Sequence, residues 1–351
     1  IHALHRKLGF PGERPGVIFN MSVGYNLEGI LKPNVQWFLD AMRDSSAYKQ
    51  RYIDIVADWY PEVTGIEIPE QLSDSVTLST MHGCPPDEIE KISSYLLTER
   101  GLHTSVKCNP TLLGPERVRR ILHEDLGYAD VPVPDEAFGH DLKYADAVPM
   151  IRRLEELASD RGLVFGVKLS NTLEVENFRP VFPDDRMMYL SGRALHAVTA
   201  NLASVLADEF ADGLLISFAG GADCFNVPQL LSAGVATVTV CSDLLKSGGY
   251  MRMLQYFETL NAAMDEVGAV SLEDFVAKTA LANGAPAQDD RGAMARSNLR
   301  RYAEGTRQEW KLKKDSLRTD RSKTPRTLGL FDCIEAPCVD ECPVDQKVPQ
   351  Y

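Results

Sequence analysis

Short runs of β-forming residues alternate with amphipathic helical stretches along most of this 351-residue chain. Residues 87–100 and 144–162 are two of the helical stretches, with apolar side chains recurring every three to four positions. This alternation is typical of parallel strands joined by crossover helices, so it predicts an α/β fold. The predicted strands cover residues 16–22, 75–80, 104–109, 163–170, 214–221 and 237–243.

Each predicted strand ends in polar or glycine residues. In a (β/α)8 TIM barrel, the loops at this end of the strands build the active site. A barrel needs eight strands, so we interpret residues 1–270 as the last three quarters of a TIM barrel and expect two strands to precede Ile1. The chain is thus interpreted as a fragment of a longer protein. An open doubly wound sheet would give the same alternation and is the alternative fold.

The composition limits the classes of function. With 44% hydrophobic and 25% charged residues, the chain can bury one large core. Its net charge of −13 argues against nucleic-acid binding, which needs a basic face. No apolar run is long enough to span a bilayer, and the first ten residues do not resemble a signal peptide. We therefore expect a cytoplasmic protein with reduced thiols and a small-molecule substrate.

Three of the seven cysteines lie close together near the end of the sequence. Cys333, Cys338 and Cys342 have the spacing C-x4-C-x3-C-P, which suits thiolates that ligate an iron–sulfur cluster. Zinc is the alternative, but a zinc site usually contains a C-x2-C pair, which this segment lacks. We interpret residues 329–351 as the start of a helical iron–sulfur domain. Residues 271–328 are interpreted as a helical and charged linker that begins at a capping serine.

The loop after the second predicted strand, STMHGCPP, contains a cysteine in a tight turn. Pro85 and Pro86 follow the turn and rigidify the entry into the next helix. A thiol near a helix N-terminus is expected to have thiolate character, and His82 is close enough in sequence to act with Cys84. We therefore predict that Cys84 and His82 are catalytic. The alternative is that Cys84 only fills a crowded turn.

Two predicted strands carry a lysine between apolar residues, in SVKCNPT and GVKLSNT. A lysine inside a barrel strand is costly unless an anion meets it. Lys107 and Lys168 would both point into the barrel mouth, where a lysine could favour the negative charge that a flavin gains at its N1 and C2 carbonyl edge on reduction. The alternative is that the lysines extend to solvent.

The last two predicted strands end in SFAGGAD and VCSDLLKSGG. Glycines in these loops let backbone N–H groups approach an anion, and the loops after strands seven and eight are the usual phosphate site of a TIM barrel. We predict that Gly220, Gly221, Cys241 and Ser242 hold the phosphate of a cofactor.

Six motifs together resemble one family. They are IFNMSVGYNLEGI, STMHGCPP, VKCNPTLLG, VKLSNT, AGGAD and CSDLLKSGGY. They resemble the flavin barrel of the dihydroorotate and dihydropyrimidine dehydrogenases, and most closely that of the selenate reductase subunits of the YgfK type. The resemblance runs from about Gly16 to Tyr351. The cysteine segment resembles the first part of the iron–sulfur domain shared by dihydropyrimidine dehydrogenase and the small subunit of glutamate synthase.

The resemblance implies a role for each matching position. Lys107 would contact FMN, Gly220, Gly221 and Ser242 would contact its phosphate, and Cys84 would lie in the catalytic loop. The resemblance further implies that Asn26, Asn171 and Thr172 bind the substrate. Cys333 and Cys338 would ligate one 4Fe-4S cluster and Cys342 another, with further ligands, FAD and NAD(P)H in the rest of the parent protein.

Two positions depart from the family pattern. Met81 and His82 stand where the dehydrogenases have an asparagine, which argues against a pyrimidine substrate because a binding site rejects a ligand whose hydrogen-bond partner is missing. Leu330 stands where the family has its first cluster cysteine, so one cluster is expected to have altered ligation or to be absent.

The sequence thus indicates a component of a multidomain oxidoreductase. In this interpretation, electrons move between a nicotinamide-dependent flavin domain, iron–sulfur clusters and a substrate bound in the barrel. The alternative is a barrel without flavin that serves as a scaffold or binding module for electron-transfer partner subunits.

Overall fold

Six parallel strands form the main sheet of this protein. The computed structural model describes residues 16–316 except 81, 179–185, 212, 246–247 and 286–289, together with residues 5, 7 and 9. The strands of the main sheet are β1 (Asn20–Val23), β2 (Ser75–Ser79), β3 (His103–Cys108), β4 (Phe165–Leu169), β7 (Leu215–Ala219) and β8 (Thr237–Thr239).

The strand order of the sheet follows the chain. Each strand pairs in parallel with the next, in the order β1-β2-β3-β4-β7-β8. A doubly wound sheet would instead reverse its strand order near the middle. All six predicted strands are therefore confirmed in number and type, and their order fits part of a TIM barrel. The first begins at Asn20 rather than at residue 16, and the preceding Val17, Ile18 and Phe19 are exposed.

Helices cover one face of this sheet. The helices are α1 (Leu27–Ile30), α2 (Pro33–Arg43), α3 (Ser46–Ala57), α4 (Pro86–Thr98), α5 (Pro115–Arg119), α6 (Asp135–His140), α7 (Tyr144–Ser159), α8 (His196–Glu209), α9 (Val227–Ser232), α10 (Met253–Glu266), α11 (Leu272–Ala282) and α12 (Arg291–Thr306). A π-helical turn at Arg120–Asp125 continues α5. In α4, Pro86 opens the first turn, and Ile89, Ile92 and Leu96 are buried in the same core as Val106 of β3.

A β-hairpin follows β4 on the side where the active-site loops lie. Its strands, β5 (Leu173–Glu176) and β6 (Met187–Leu190), are antiparallel and form a separate two-stranded sheet. Glu174 pairs with Tyr189 in this hairpin, so their side chains share one face. The sequence analysis did not predict the hairpin.

The segment interpreted as a linker packs against the barrel in its described part. As predicted, Ser271 caps α11: its side chain accepts a hydrogen bond from the backbone N–H of Asp274. In α12, the buried Asn298 donates to the backbone carbonyls of Ser232 and Val276 at 2.8 and 2.9 Å. The hydrogen bonds of Asn298 therefore connect α11 and α12 to the barrel.

Residues 307–316, within the segment interpreted as a charged linker, contain two short 3-10 turns. Leu312 is buried, and its carbonyl accepts a hydrogen bond from the Tyr128 hydroxyl at 3.2 Å. Arg307 pairs with Asp125 at 2.5 Å. This ion pair and the hydrogen bond of Tyr128 therefore hold the stretch against the barrel. The predicted cluster ligands Cys333, Cys338 and Cys342, and Leu330, lie outside the described residues.

No helix within the described part of the chain has both the length and the apolar character needed to cross a membrane.

Candidate active site

Lys107 and Lys168 lie side by side on the inner face of the sheet. Successive side chains of a strand point to opposite faces, and Val106 and Cys108 of β3 are buried in the core beneath the helices. Lys107 therefore projects from the other face, which in a closed barrel is the interior. The register pairs Lys107 with Lys168 on the neighbouring strand, so the two ammonium groups occupy adjacent positions.

The two lysines have no acidic partner among the residues that the structure describes. Both side chains are half-buried. Burial lowers the pKa of Lys168, and burial together with the charge of Lys168 lowers the pKa of Lys107. Adjacent half-buried cations of this kind are stabilised when an anionic group binds between or beside them.

A cleft of about 400 Å³ lies at the carboxyl ends of β4, β7 and β8. The predicted residues that line it are Asn171, Thr172, Gly220, Gly221, Cys241 and Ser242. Lys107 and Lys168 lie on the neighbouring strands β3 and β4 but are not among the residues that line this cleft. The structure thus brings together six of the predicted site residues.

Gly221 has a backbone conformation and surroundings that only glycine fits. Its φ angle is +64°, and an added Cβ would lie 2.7 Å from the carbonyl oxygen of Gly192. The backbone after β7 is therefore packed tightly against the loop that precedes α8. This close approach leaves backbone groups, rather than a side chain, at the edge of the cleft.

Two residues that the sequence analysis did not select complete this region. Arg193 lines the same cleft and brings a cation to it. The buried His196 lies with Nδ1 2.7 Å from the Gly220 carbonyl and Nε2 2.6 Å from the Tyr302 hydroxyl. Because burial lowers the pKa of His196, the neutral ring donates from Nδ1 to the carbonyl and accepts from Tyr302. Helix α12 thereby holds the glycine loop in place.

These residues fit FMN in the nature of their donors. A phosphate ester is matched by the glycine loop with Arg193 and Ser242, and the polar edge of a flavin ring is matched by the two lysines. Asp223 and Asp243 also line the cleft; Asp243 is buried, pairs with Arg252 at 3.0 Å and accepts a hydrogen bond from the Tyr256 hydroxyl at 2.7 Å.

His82 lies in a hydrogen-bonded chain beside this cleft. Its Nδ1 is 3.2 Å from Asp141, and its Nε2 is 3.5 Å from the hydroxyl of Thr172. Asp141 is buried and also accepts from the Thr111 hydroxyl at 2.8 Å and from the Gly83 N–H at 3.1 Å. Burial raises the pKa of Asp141, but the hydrogen bonds outweigh it and lower the pKa overall. The arrangement can hold or relay a proton between Asp141 and Thr172.

The expectation of thiolate character at Cys84 is wrong. The thiol is half-buried, and burial followed by the charges of Glu88 and Asp87 raises its pKa. The helix N-terminus does attract negative charge, but the acidic residues of the same first turn oppose it. Cys84 is therefore a protonated thiol near neutral pH, suited to donating a proton rather than to nucleophilic attack. No hydrogen bond joins it to His82 in the described structure, so the two are not a coupled pair.

Two predicted substrate residues already use their amides within the protein. The side-chain oxygen of Asn26 caps α1 by accepting from the N–H of Gly29 at 3.0 Å. The amide nitrogen of Asn171 donates to the Thr80 carbonyl at 3.3 Å and to the Asn109 side chain at 3.0 Å. Asn171 can therefore offer a ligand only its carbonyl oxygen. Asn26 is not among the residues that line the cleft.

A partial TIM barrel with a polar cleft at its strand ends defines the class of this protein, and comparison with known proteins defines its family. The chain belongs to the family described as "Oxidoreductase YgfK, N-terminal TIM-barrel domain", which matches residues 1–289. The proteins named "Putative oxidoreductase YgfK" in Escherichia coli strain K12 and in Escherichia coli O157:H7 are each 38% identical to it over 357 residues. These matches cover 95% of this chain but 32% of each relative. The chain therefore spans about a third of the length of these relatives.

Two solved structures of DHODH from Eimeria tenella are more distantly similar. The ligand-free form has a TM-score of 0.34 at 14% identity, covering 66% of this chain and 69% of that protein. The complex with ferulenol has a TM-score of 0.36 at 14% identity, covering 71% of this chain and 67% of that protein.

Proposed function

We propose that this barrel binds FMN along the carboxyl ends of β3 to β8 and acts as the substrate-converting part of a multidomain oxidoreductase. The observation that carries the proposal is the lysine pair. Lys107 and Lys168 are adjacent in register, half-buried, and without an acidic partner in the described structure. A bound flavin would accept or donate hydride. The positive charge of the lysines would stabilise the negative charge of the reduced flavin.

The remaining residues would divide the other tasks. The loop at Gly220 and Gly221, with Arg193 and Ser242, would hold the phosphate. The hydrogen-bonded residues Asp141, His82 and Thr172 would position the substrate, and the protonated thiol of Cys84 would exchange a proton with it. Membership in an oxidoreductase family supports this assignment.

The proposal extends to the residues outside the described part of the chain. Cys333, Cys338 and Cys342 would ligate 4Fe-4S clusters, as their spacing indicates. The clusters would pass electrons to or from FAD and NAD(P)H bound elsewhere in the full-length protein. No residue of the described site identifies selenate as the acceptor, so the proposal is confined to electron transfer.

Flavin affinity tests the role of the lysine pair. In the full-length protein freed of flavin, Lys107→Met should weaken FMN binding by about 10- to 100-fold, the loss expected for one hydrogen bond to a charged group. Fluorescence titration with FMN measures this change. Lys91→Met is the matched control, because Lys91 is exposed on α4 and pairs with Asp87. Equal affinities in the two variants would remove Lys107 from the site.

A further inference from the structure

A cluster of metal-ligand side chains lies beside the β5–β6 hairpin. One nitrogen from each of His82 and His140 and one carboxylate oxygen of Glu174 all lie within 4.8 Å of one another. His82 comes from the loop after β2, His140 from the end of α6, and Glu174 from β5. Two imidazoles and one carboxylate form a donor set that binds zinc and other divalent first-row metals.

Glu174 is the part of this cluster that most needs a partner. It is 8% exposed, and its Oε2 atom is buried without a hydrogen bond. This oxygen lies 2.9 Å from Nε2 of His140, but the ring N–H is not directed at it. A buried carboxylate oxygen is costly when neither a hydrogen bond nor a cation satisfies it. The Glu174 carboxylate and the His140 ring are therefore close without a hydrogen bond, an arrangement that suits two ligands of one cation.

The surroundings of His82 are those of an oriented metal ligand. Asp141 accepts from Nδ1 of His82 at 3.2 Å, which leaves Nε2 as the nitrogen with the lone pair. Carboxylates commonly orient metal-binding histidines in this way. The ring of Tyr189 packs against His82 with the ring centroids 5.4 Å apart. The hairpin therefore contributes both Glu174 and a side chain that holds His82 in position.

We propose that His82, His140 and Glu174 bind a divalent first-row cation of the zinc class. With bonds of about 2.0–2.1 Å, a tetrahedral zinc needs ligand atoms roughly 3.4 Å apart, so small side-chain rotations would close the site. Three protein ligands leave one position open for water or for an oxygen atom of the substrate. Because Thr172 lies 3.5 Å from Nε2 of His82, the open position would face the region predicted to bind substrate. The proposal does not depend on flavin binding.

Zinc content tests the site directly. The full-length protein and its variants are dialysed to equilibrium against buffered Zn²⁺, and bound zinc is counted by mass spectrometry. The wild type should hold one zinc per chain more than Glu174→Gln or His140→Asn, with an affinity loss of at least about 100-fold in each variant, since even residues that only orient a ligand contribute 10- to 100-fold. The X-ray absorption of the additional zinc should show nitrogen and oxygen ligands with imidazole.

Glu176→Gln is the matched control, because Glu176 lies on the same strand but is exposed. It should bind zinc as the wild type does. Equal zinc content in the wild type, Glu174→Gln and His140→Asn would overturn the proposal and leave the cluster as a set of ion pairs. If circular dichroism shows that Glu174→Gln does not fold, His140→Asn decides the question, since the His140 side chain is 34% exposed and tolerates replacement.

Discussion

Lys107 and Lys168 determine how the stability of the flavin-free barrel depends on pH. Burial lowers the pKa of both below the ordinary value of 10.5. Between the lowered pKa values and 10.5, the unfolded chain binds more protons than the folded chain, so the free energy of unfolding contributed by these lysines rises with pH. Without flavin, Lys107→Met/Lys168→Met should thus be more stable than the wild type at pH 7, and the difference should shrink toward pH 10.5.

Thermal unfolding of the two flavin-free proteins across this pH range measures the effect. Lys91→Met should show the opposite order at neutral pH, because pairing with Asp87 raises the pKa of Lys91. If the flavin-free wild type is instead more stable than the double variant at pH 7, the two lysines must have counter-ions in the folded protein.

The thiol of Cys84 shows which properties of a single residue the sequence could not predict. Its place in a turn before α4 was predictable from the prolines that follow it. Its ionisation was not, because the pKa depends on how deeply the turn is buried and on the distances to Asp87 and Glu88. Asp141, His140 and Glu174 were missed for a similar reason. Their partners lie in other loops, and the sequence does not show which loops meet.

The main elements of the sheet were predictable because each has a complete local signal. Five or six consecutive β-forming residues followed by polar or glycine residues identify strands such as β3 and β7. The strands of the β5–β6 hairpin, LEVE and MMYL, were not predicted, and no described helix separates β5 from β4 to mark it as a new element. The register that pairs Lys107 with Lys168 depends on the whole sheet and had to be observed.

The loop after β7 should tolerate no side chain at Gly221. Gly221→Ala adds a Cβ 2.7 Å from the Gly192 carbonyl, in addition to the cost of a positive φ angle. Gly162→Ala is a matched control, since Gly162 has a φ of +65° and open space around it. Gly162→Ala should lower the free energy of unfolding by about 1–2 kcal/mol without affecting FMN. Gly221→Ala should lower it further and weaken FMN binding at least tenfold, as measured by urea unfolding and FMN titration.

The described molecule includes more than the barrel that the strand pattern indicates. Helices α11 and α12 were expected to form a linker, but the side chains of Asn298 and Tyr302 bind them to the barrel and to His196. The capping serine identified the start of α11 from the sequence, but it could not show what the helix packs against. The glycine loop at Gly220 therefore depends on a residue about 80 positions away in sequence.

Tyr302→Phe tests this dependence. It removes the hydroxyl 2.6 Å from Nε2 of His196 and leaves a fully buried nitrogen unpaired, which should cost about 1–3 kcal/mol of the free energy of unfolding. FMN affinity should fall with it, because His196 holds the Gly220 carbonyl. In Tyr144→Phe the lost bond to Glu209 is exposed, so stability should change by less than about 0.5 kcal/mol. Denaturant titration measures the free energy of unfolding of both variants. Equal losses would show that the contact between Tyr302 of α12 and His196 does not support the site.

The flavin content of the purified full-length protein tests the central claim most directly. The protein is denatured, and the released flavins are separated and identified by mass, which distinguishes FMN of the barrel from FAD bound elsewhere. Binding of FMN along the strand ends predicts one FMN per chain, reduced in Lys107→Met and retained in Lys91→Met. A folded protein that releases FAD but no FMN, and takes up none when FMN is added, would contradict the claim and favour a barrel that serves as a scaffold.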